Sequence, residues 1–311
     1  MKLTFEQIKE ITFGTARIWQ DENGIQFRRC TQAQIDYWYT KREAWGDGSA
    51  RTTGISLDFH TDSPWLTMTM GGSNQLDIWV DGILYHCHLA TSPDLHLELP
   101  EGEHRVTIVF PSHSNDRPWL EGLELADGAS LRPHTFDRKI LFLGDSITQG
   151  WCSSRDSFSW AWNICFALNA QAVNQGIGGT AADPEAFPND LDFDPDIVIV
   201  SYGTNDWSRY PTLEVLKEKH DAYWDLVCSK YAGKKLVGIS PVYRFNTEEG
   251  RGMGSFDSCC QVVKQCIQSR KEVIFVDGFD IIPHQKMFFK DGLHPLDNGY
   301  KTFSDHLVKY L

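Results

Sequence analysis

Apolar and polar residues alternate in short runs through the first part of the chain, from about residue 24 to residue 125. Such alternation is typical of strands that bury one face. No long helical period interrupts these runs, and turn-forming pairs separate them at Asp81-Gly82, Glu101-Gly102 and Asp127-Gly128. The pattern predicts an all-β domain, a β-sandwich or jelly roll, over residues 1–134.

The pattern changes near residue 135, where continuous apolar runs begin to alternate with helix-like segments. This order is typical of βαβ units built around a buried parallel sheet. We predict five parallel strands at 140–143, 170–174, 197–201, 235–239 and 273–276, and helices at 157–168, 213–231, 256–269 and 298–311. Residues 135–311 are therefore expected to form an α/β domain with a five-stranded parallel sheet and flanking helices.

The composition agrees with two domains and limits the classes of molecule that the protein is expected to bind. The 311 residues, 41% of them apolar, can form two cores at roughly 100–200 residues per domain. The formal net charge of -13 argues against nucleic acid, because that binding depends on Lys and Arg. The same charge would weakly repel anionic substrates and lipid surfaces, so it favours neutral esters.

The sequence also bears on localisation. No run approaches the roughly 20 apolar residues of a membrane span, and the first ten residues are mixed and polar rather than a signal peptide. Of the eight cysteines, Cys259 and Cys260 are adjacent, and others lie in helix-like apolar patterns. We expect a reduced, cytoplasmic protein. The pattern leaves its oligomeric state open.

The loop after the first predicted parallel strand carries a candidate nucleophile. Open α/β sheets bind ligands at the carboxyl ends of their strands, and the strand at 140–143 runs into GDSITQG at 144–150. A tight turn from strand to helix would present the Ser146 hydroxyl at the sheet edge. The alternative is that Ser146 only caps the following helix.

GDSITQG directly after an apolar strand resembles the first block of the SGNH (GDSL-type) hydrolases. Three further loops match the remaining blocks in the family's order: NQGIGGT at 174–180, GTND at 203–206 and DGLHP at 291–295. Taken alone, these loops also fit a glycine-rich turn, an Asx-turn and a structural histidine. The four together are much more specific than any one of them, and they cover about residues 138–311.

The resemblance implies a role for each matching residue. Ser146 would be the nucleophile and His294 its base, with Asp291 orienting the imidazole, although some relatives with a sandwich domain use a backbone carbonyl instead. The oxyanion hole would comprise the Ser146 and Gly179 backbone N–H groups and the Asn205 amide. Gly176 and Gly178 are alternatives to Gly179. Acyl transfer through such groups needs no metal and no cofactor.

Tryptophans and histidines outside the four blocks have weaker interpretations. Trp151 and Trp207 follow two of the blocks and could wall the substrate pocket, or pack in the core. Trp65, Trp79 and Trp119 could form a sugar-stacking platform, although core packing is favoured. In the run His86-Cys87-His88 only the two histidines share a strand face, so a zinc site there is weakly supported.

The order of a β-sandwich followed by an SGNH domain is similar to carbohydrate esterases of the acetylxylan-esterase type. This similarity suggests a carbohydrate O-acetyl esterase acting on a small-molecule or oligosaccharide ester. The alternatives are a lipid esterase or acyl thioesterase with the same machinery, and a carbohydrate-binding protein whose hydrolase domain is inactive. Fold-level similarity by itself does not choose among them.

Overall fold

A computed structural model describes residues 1–72, 75–89, 94–112, 117–245, 247 and 251–311, without the side chains of residues 88 and 89. The strands are β1 (Thr12–Phe13), β2 (Arg17–Asp21), β3 (Gly24–Arg28), β4 (Ser56–Thr61), β5 (Trp65–Gly71), β6 (Gln75–Val80), β7 (Ile83–Leu89), β8 (Asp94–Glu98), β9 (His104–Val109), β10 (Trp119–Leu125), β11 (Arg132–Pro133), β12 (Arg138–Gly144), β13 (Ala170–Gly176), β14 (Ile197–Ser201), β15 (Lys235–Ile239) and β16 (Val273–Val276). The α-helices are α1 (Phe5–Glu10), α2 (Gln32–Lys41), α3 (Glu43–Ser49), α4 (Ser146–Gln149), α5 (Trp160–Ala167), α6 (Asp206–Arg209), α7 (Leu213–Lys230), α8 (Phe256–Gln268) and α9 (Asp297–Leu307).

Two antiparallel sheets form the N-terminal sandwich. One has the order β1-β4-β9-β6-β7 with β11 added to β4, and the other has the order β2-β3-β10-β5-β8. In β5 the residues Leu66, Met68 and Met70 are buried and their neighbours are partly exposed, as the alternating sequence predicts. These side chains join one apolar core with residues of the facing sheet, such as Phe59 and Ile108. The predicted sandwich is confirmed.

The C-terminal sheet is parallel throughout and has the order β13-β12-β14-β15-β16. Its core is double: helices α7 and α8 pack on one face, and α5 and α9 pack on the other. The five predicted strands are confirmed. Strand β12 lies between β13 and β14, so the loops after these three strands meet at the point where the strand order reverses.

Helices α2 and α3 correct the prediction that the first part of the chain is all β. A capping box starts α2: the Thr31 hydroxyl accepts from the Gln34 backbone N–H, and the Gln34 side chain accepts from the Thr31 N–H. Only Ile35 and Trp38 of its apolar side chains are buried. They pack against Ile177 in the loop after β13, a partner more than a hundred residues away that the local pattern does not reveal.

Arg29 ties this helix pair to the parallel sheet. Its buried guanidinium donates to three backbone carbonyls: Nη1 to Asn174 at 2.6 Å, Nη2 to Gly48 at 2.7 Å and Nε to Arg51 at 3.1 Å. The acceptors belong to the C-terminal end of α3, to the turn that follows it and to β13. One buried side chain therefore links α3 to the sheet, beside the apolar packing on Ile177.

The two parts of the chain share further contacts. Buried Asp77 on β6 accepts hydrogen bonds from the Ser157 backbone N–H and hydroxyl and pairs with Arg155 at 3.1 Å. Strand β11 joins the sandwich, and β12 begins the parallel sheet five residues later. The domain limit between residues 134 and 135 stays a prediction.

Two other observations concern localisation. All eight cysteines fall in the described part of the chain and are unpaired. Among the described helices none has the length and apolar character needed to cross a membrane. Cytoplasmic localisation stays a prediction.

Candidate active site

Ser146 stands where the interior strand β12 turns into α4. The carboxylate of Asp145, and not the Ser146 hydroxyl, caps this helix, because its Oδ1 accepts from the Ile147 N–H at 2.9 Å. A side chain at Gly144 would clash with Thr148, since a Cβ there would lie 2.1 Å from its Oγ1. The turn is thus closed by its neighbours and leaves the serine hydroxyl free for another partner.

That partner is His294, which joins Ser146 to Asp291. The Ser146 Oγ lies 2.9 Å from His294 Nε2, and His294 Nδ1 lies 2.8 Å from Asp291 Oδ2. The other carboxylate oxygen accepts from the backbone N–H groups of His294 and Leu293. The imidazole is therefore hydrogen-bonded to a carboxylate, the group that the family resemblance implies for this position.

The electrostatics of Asp291 suit this position. Partial burial opposes ionisation of its carboxyl, but hydrogen bonds from the His294 backbone and imidazole outweigh burial and lower its pKa. A carboxylate that stays ionised beside the imidazole favours the tautomer with the proton on Nδ1. In that tautomer Nε2 is free to accept the serine proton.

The hydrogen bonds in the second block, residues 174–180, distinguish its three glycines from one another. The Gly176 N–H donates to the Asn174 side chain at 2.9 Å, and the Gly178 N–H donates to Gln149 Oε1 at 2.8 Å. No acceptor for the Gly179 N–H is found in the described part of the chain. Gly179 has a φ of +82°, which glycine adopts most readily. Of the three glycines, Gly179 has the N–H available for a substrate oxygen.

Asn205 lies opposite, at the start of α6. Its Nδ2 donates to the Thr180 carbonyl at 3.0 Å, which leaves one amide hydrogen for a ligand. The next residue, buried Asp206, accepts from the Ala182 N–H at 3.1 Å and from His220 Nε2 at 2.7 Å. Asp206 therefore holds the loop after β14 against the loop after β13.

Asp145 is buried beside this network. Its burial, with the negative charge of Asp206 adding to it, raises the Asp145 pKa to about 7, although its hydrogen bond from Ile147 acts in the opposite direction. The group faces the protein interior. Asp145 and Asp206 are thus placed to support the loops.

A cavity of about 310 Å³ opens in front of Ser146. Residues of the candidate machinery line one part of it: Ser146, Gly178, Gly179, Asn205 and His294. The rest of its wall includes Gln149, Trp151 and Leu293 and a group from the α2–α3 region, Arg42, Ala44, Trp45, Gly48 and Arg51. Sequence reasoning missed this last group. The capping box at Thr31 and Gln34 is the signal that could have located it.

The sequence profile of the GDSL-like lipase/acylhydrolase family matches residues 142–302, more than half of the chain. The chain belongs to this family. It is accordingly a carboxylic ester hydrolase by family, and the matched segment contains all four blocks described above. Comparison with curated protein sequences yields no match.

Solved structures are similar in fold to most of this GDSL-type chain at low sequence identity. A salicylyl-acyltransferase from a tetracycline biosynthetic pathway is 19% identical with a TM-score of 0.83, over 94% of this chain and 91% of that one. A family two carbohydrate esterase from Clostridium thermocellum, in complex with cellohexaose, is 18% identical with a TM-score of 0.69, over 96% and 97%. An acetyl xylan esterase from Butyrivibrio proteoclasticus is 15% identical with a TM-score of 0.62, over 83% and 88%.

The two tryptophans predicted to wall the pocket have different positions. Trp151 lines the cavity: it is 37% exposed, its ring lies 6.2 Å from that of His294, and its Nε1 donates to Gln149 at 3.1 Å. Trp207 does not line it. Its ring is 1% exposed and packs beneath Arg251 and against Phe256 of α8, and its Nε1 donates to the Gly254 carbonyl. The short helix α6 turns this side chain away from the cavity and into the core.

The sandwich tryptophans lie away from the cavity. Trp79 packs on Phe166 with ring centroids 4.8 Å apart, Trp119 covers Gly71, and Trp65 lies beside His96. None of the three is among the residues that line the cavity in the described structure. They do not form a common stacking platform with it.

The residues that could bind a metal in the structure differ from those considered in the sequence. The His88 side chain lies outside the described residues, so the weak zinc interpretation at His86 and His88 is not tested. Within the described residues, ligand atoms of Cys152, Asp291 and His294 lie within 4.8 Å of one another. Two of these three already share the hydrogen bond that orients the imidazole.

Proposed function

We propose that this enzyme is a serine esterase in which Ser146 attacks the ester carbonyl, and that its substrates are O-acetylated carbohydrates. The hydrogen-bonded series from Ser146 through His294 to Asp291, with distances of 2.9 and 2.8 Å, carries the proposal. A nucleophile, a base and an orienting carboxylate in this geometry are the requirements of acyl transfer.

The reaction proceeds in two halves. His294 Nε2 takes the Ser146 proton as Oγ bonds to the acyl carbon, and the imidazolium then protonates the departing alcohol oxygen. An acyl-enzyme remains. In the second half His294 takes a proton from water, the hydroxyl oxygen bonds to the acyl carbon, and Ser146 recovers its proton as the carboxylic acid leaves.

Three donors stabilise the oxyanion that forms in each half. They are the Ser146 backbone N–H, which lies in the first turn of α4 and has no acceptor within that helix, the Gly179 N–H and the free hydrogen of the Asn205 amide. Each donor of this kind typically contributes about a hundredfold or more to the rate. The donors and the nucleophile line the same cavity, which supports this assignment.

The choice of a carbohydrate ester is supported by the site and by the compared structures. Two of the three are named as a carbohydrate esterase and an acetyl xylan esterase, and they share both the sandwich and the parallel-sheet fold. The cavity is open and has the rings of Trp45 and Trp151 on its wall. Aromatic faces with polar edges suit a sugar, which has both apolar and hydroxyl faces.

The test is a substrate panel. Hydrolysis of p-nitrophenyl esters of increasing acyl length is measured beside release of acetate from acetylated xylo-oligosaccharides. Ser146→Ala is the inactive control, and Ser269→Ala, at the exposed end of α8, is the matched serine control. We expect acetyl esters and acetylated sugars to be cleaved by the wild type and by Ser269→Ala only.

Other outcomes would identify the alternatives. A preference for long acyl chains or for acyl thioesters would make the protein a lipid esterase or thioesterase. Binding of the oligosaccharides without Ser146-dependent hydrolysis of any ester would favour a carbohydrate-binding protein with an inactive hydrolase domain.

A further inference from the structure

The cavity in front of Ser146 is cationic, although the protein is strongly acidic. Arg42 and Arg51 line it, whereas no Asp or Glu is among the residues that form its wall in the described structure. The formal net charge of the whole chain is -13. The described wall of the cavity therefore carries positive side chains although the chain as a whole is negative.

A third guanidinium adjoins the cavity. Arg209 Nε donates to the Gly179 carbonyl at 3.1 Å, and its guanidinium lies 4.9 Å from the centre of the Trp45 ring. This contact places a positive charge beside the glycine whose N–H faces the reaction. Arg42, Arg51 and Arg209 together are called the arginine cluster below.

The arginine cluster lacks carboxylate partners. None of its three members forms an ion pair with any described acidic residue, in contrast to Arg105, Arg155 and Arg270 elsewhere in the protein. The acidic residue that influences Arg51 is Asp47. Asp47 is already engaged, because its Oδ1 pairs with Arg117 at 3.1 Å and accepts from the Tyr39 hydroxyl at 2.8 Å.

The cluster is also held in place by its backbone. Arg42 separates α2 from α3, and its N–H donates to the Trp38 carbonyl at 2.9 Å. The Arg51 carbonyl accepts from buried Arg29 at 3.1 Å. Partial burial lowers the pKa of Arg51, and the negative charge of Asp47 offsets this effect only in part, so the charge is partly desolvated and lacks an ion-pair partner among the described residues.

Hydrolysis of a neutral acetyl ester needs a nucleophile, a base and oxyanion donors, and the cluster supplies none of these. Guanidinium groups are suited to bidentate binding of carboxylates and phosphates. Two of them on the wall of a substrate cavity, without internal partners, leave a site for a negative group of the substrate. We propose that the sugar substrate carries an anionic substituent, a carboxylate or a phosphate, which Arg42 and Arg51 bind while Ser146 attacks the acetyl group.

This inference rests on the proposed function and replaces the expectation of a neutral ester that the overall charge suggested. The test uses three O-acetylated sugars that differ at one carbon: methyl glucoside, methyl glucuronoside and methyl glucoside 6-phosphate. We expect kcat/KM for at least one anionic sugar to exceed that for the neutral sugar by about tenfold or more, as charge-assisted hydrogen bonds allow. The preference should weaken as ionic strength rises.

Variants then assign the preference to the cluster. Arg42→Gln and Arg51→Gln should each reduce the ratio of kcat/KM for the anionic sugar to that for the neutral one by about tenfold. Arg132→Gln removes the same charge from the exposed surface of the sandwich and should leave the ratio unchanged. Because the ratio compares two substrates of one preparation, partial misfolding of a variant does not alter it.

Each result has one meaning. A preference for the glucuronoside or for the phosphate supports the inference and identifies the anion. Equal or faster cleavage of the neutral sugar, or ratios that Arg42→Gln and Arg51→Gln leave unchanged, overturns it while the proposed function stands. Ser146-dependent hydrolysis of p-nitrophenyl acetate without cleavage of any acetylated sugar overturns the proposed carbohydrate substrate, and the inference with it.

Discussion

His294 Nε2 lies 2.9 Å from the hydroxyl oxygen of Ser146, although 148 positions separate the two residues in the chain. One stands directly after β12, an interior strand of the parallel sheet, and the other stands in the loop before the last helix. Their contact arises because both loops end at the same edge of the sheet. The predictions below test this contact and the structure around it.

Substitutions in the hydrogen-bonded series from Ser146 through His294 to Asp291 should affect turnover far more than folding. We expect His294→Ala to lower kcat by roughly 10⁴-fold or more, since the base is lost. Asp291→Asn should also lower kcat, because the amide can stabilise the wrong imidazole tautomer. Steady-state kinetics on p-nitrophenyl acetate measure both, with urea unfolding as a check on stability. Retention of most wild-type activity by His294→Ala would contradict the proposed mechanism.

Gly179 and Gly233 form a matched pair for the oxyanion assignment, since their φ angles are +82° and +81°. A Cβ at Gly179 would lie 3.0 Å from Trp45 Nε1, whereas nothing lies within 4 Å of one at Gly233. Each change to alanine should cost about 1 kcal/mol of stability from backbone strain. Only Gly179→Ala should reduce kcat strongly, because the N–H that faces the substrate must shift. Equal kcat values for the two variants would remove Gly179 from the oxyanion hole.

Replacement of Trp151 should change substrate selectivity, whereas replacement of Trp207 should change stability. Trp151→Ala is expected to raise KM and to change the dependence on acyl length, since its ring lines the cavity. Trp207→Ala removes a buried ring and should cost about 3–5 kcal/mol of unfolding free energy. In the fraction that remains folded, acyl-length selectivity should match the wild type. A changed selectivity in Trp207→Ala would show that this ring influences the pocket after all.

Asp145 should make the stability depend on pH. Its pKa is about 7 in the folded protein, against an ordinary value of 3.8, so between these pH values the folded state holds a proton that the unfolded state has lost. The unfolding free energy should therefore decrease as pH rises from about 4 to 7, and the contribution should level off above that range. Asp145→Asn keeps a side chain that can cap α4 and removes the titration.

Urea unfolding at pH 5, 6, 7 and 8 compares the two proteins. Relative to Asp145→Asn, the wild type should lose stability between pH 5 and 7. If the difference between the proteins is constant over this range, the carboxyl is already ionised when buried, and the pKa assigned to it is wrong.

Arg29 should be necessary for the position of α3. Replacement by Met keeps an unbranched apolar chain and leaves three backbone carbonyls without their donor. We expect a loss of about 3 kcal/mol or more in unfolding free energy, because each unsatisfied buried group costs about 1–3 kcal/mol. KM should also rise, since α3 forms part of the cavity wall. Arg132→Met on the exposed surface is the control and should change neither quantity.

Local pattern was sufficient for the elements whose burial depends on one repeating face. The limits of β14, β15 and β16 agree with those predicted, because a parallel strand covered on both faces forms a nearly continuous apolar run. Helices α7 and α8 begin at the predicted residues. The four catalytic blocks could be located for a related reason: each stands directly after a strand, or before a helix, that the pattern already marks.

Other features depend on partners that are distant in the chain. Helix α2 buries only two apolar side chains, against a loop that begins more than a hundred residues later, so its own period is weak. The burial of Trp207 depends on α8, and Gly179 is distinguished from Gly176 and Gly178 by side-chain acceptors that bind the other two N–H groups. No local repeat encodes such contacts.

The sequence by itself determined the two kinds of sheet and the order of the parallel strands along the chain, and the resemblance of its four blocks supplied the candidate residues for acyl transfer. Hydrophobic periodicity and side-chain chemistry are local properties, and they can be read without coordinates. Only the tertiary structure decided what surrounds Ser146. Its histidine partner is hydrogen-bonded to a carboxylate, one nearby glycine N–H has no acceptor in the described structure, and two arginines from the α2–α3 region line the cavity. That arrangement results from packing between segments that are far apart in the chain. Local sequence patterns do not show which of these residues will lie close together.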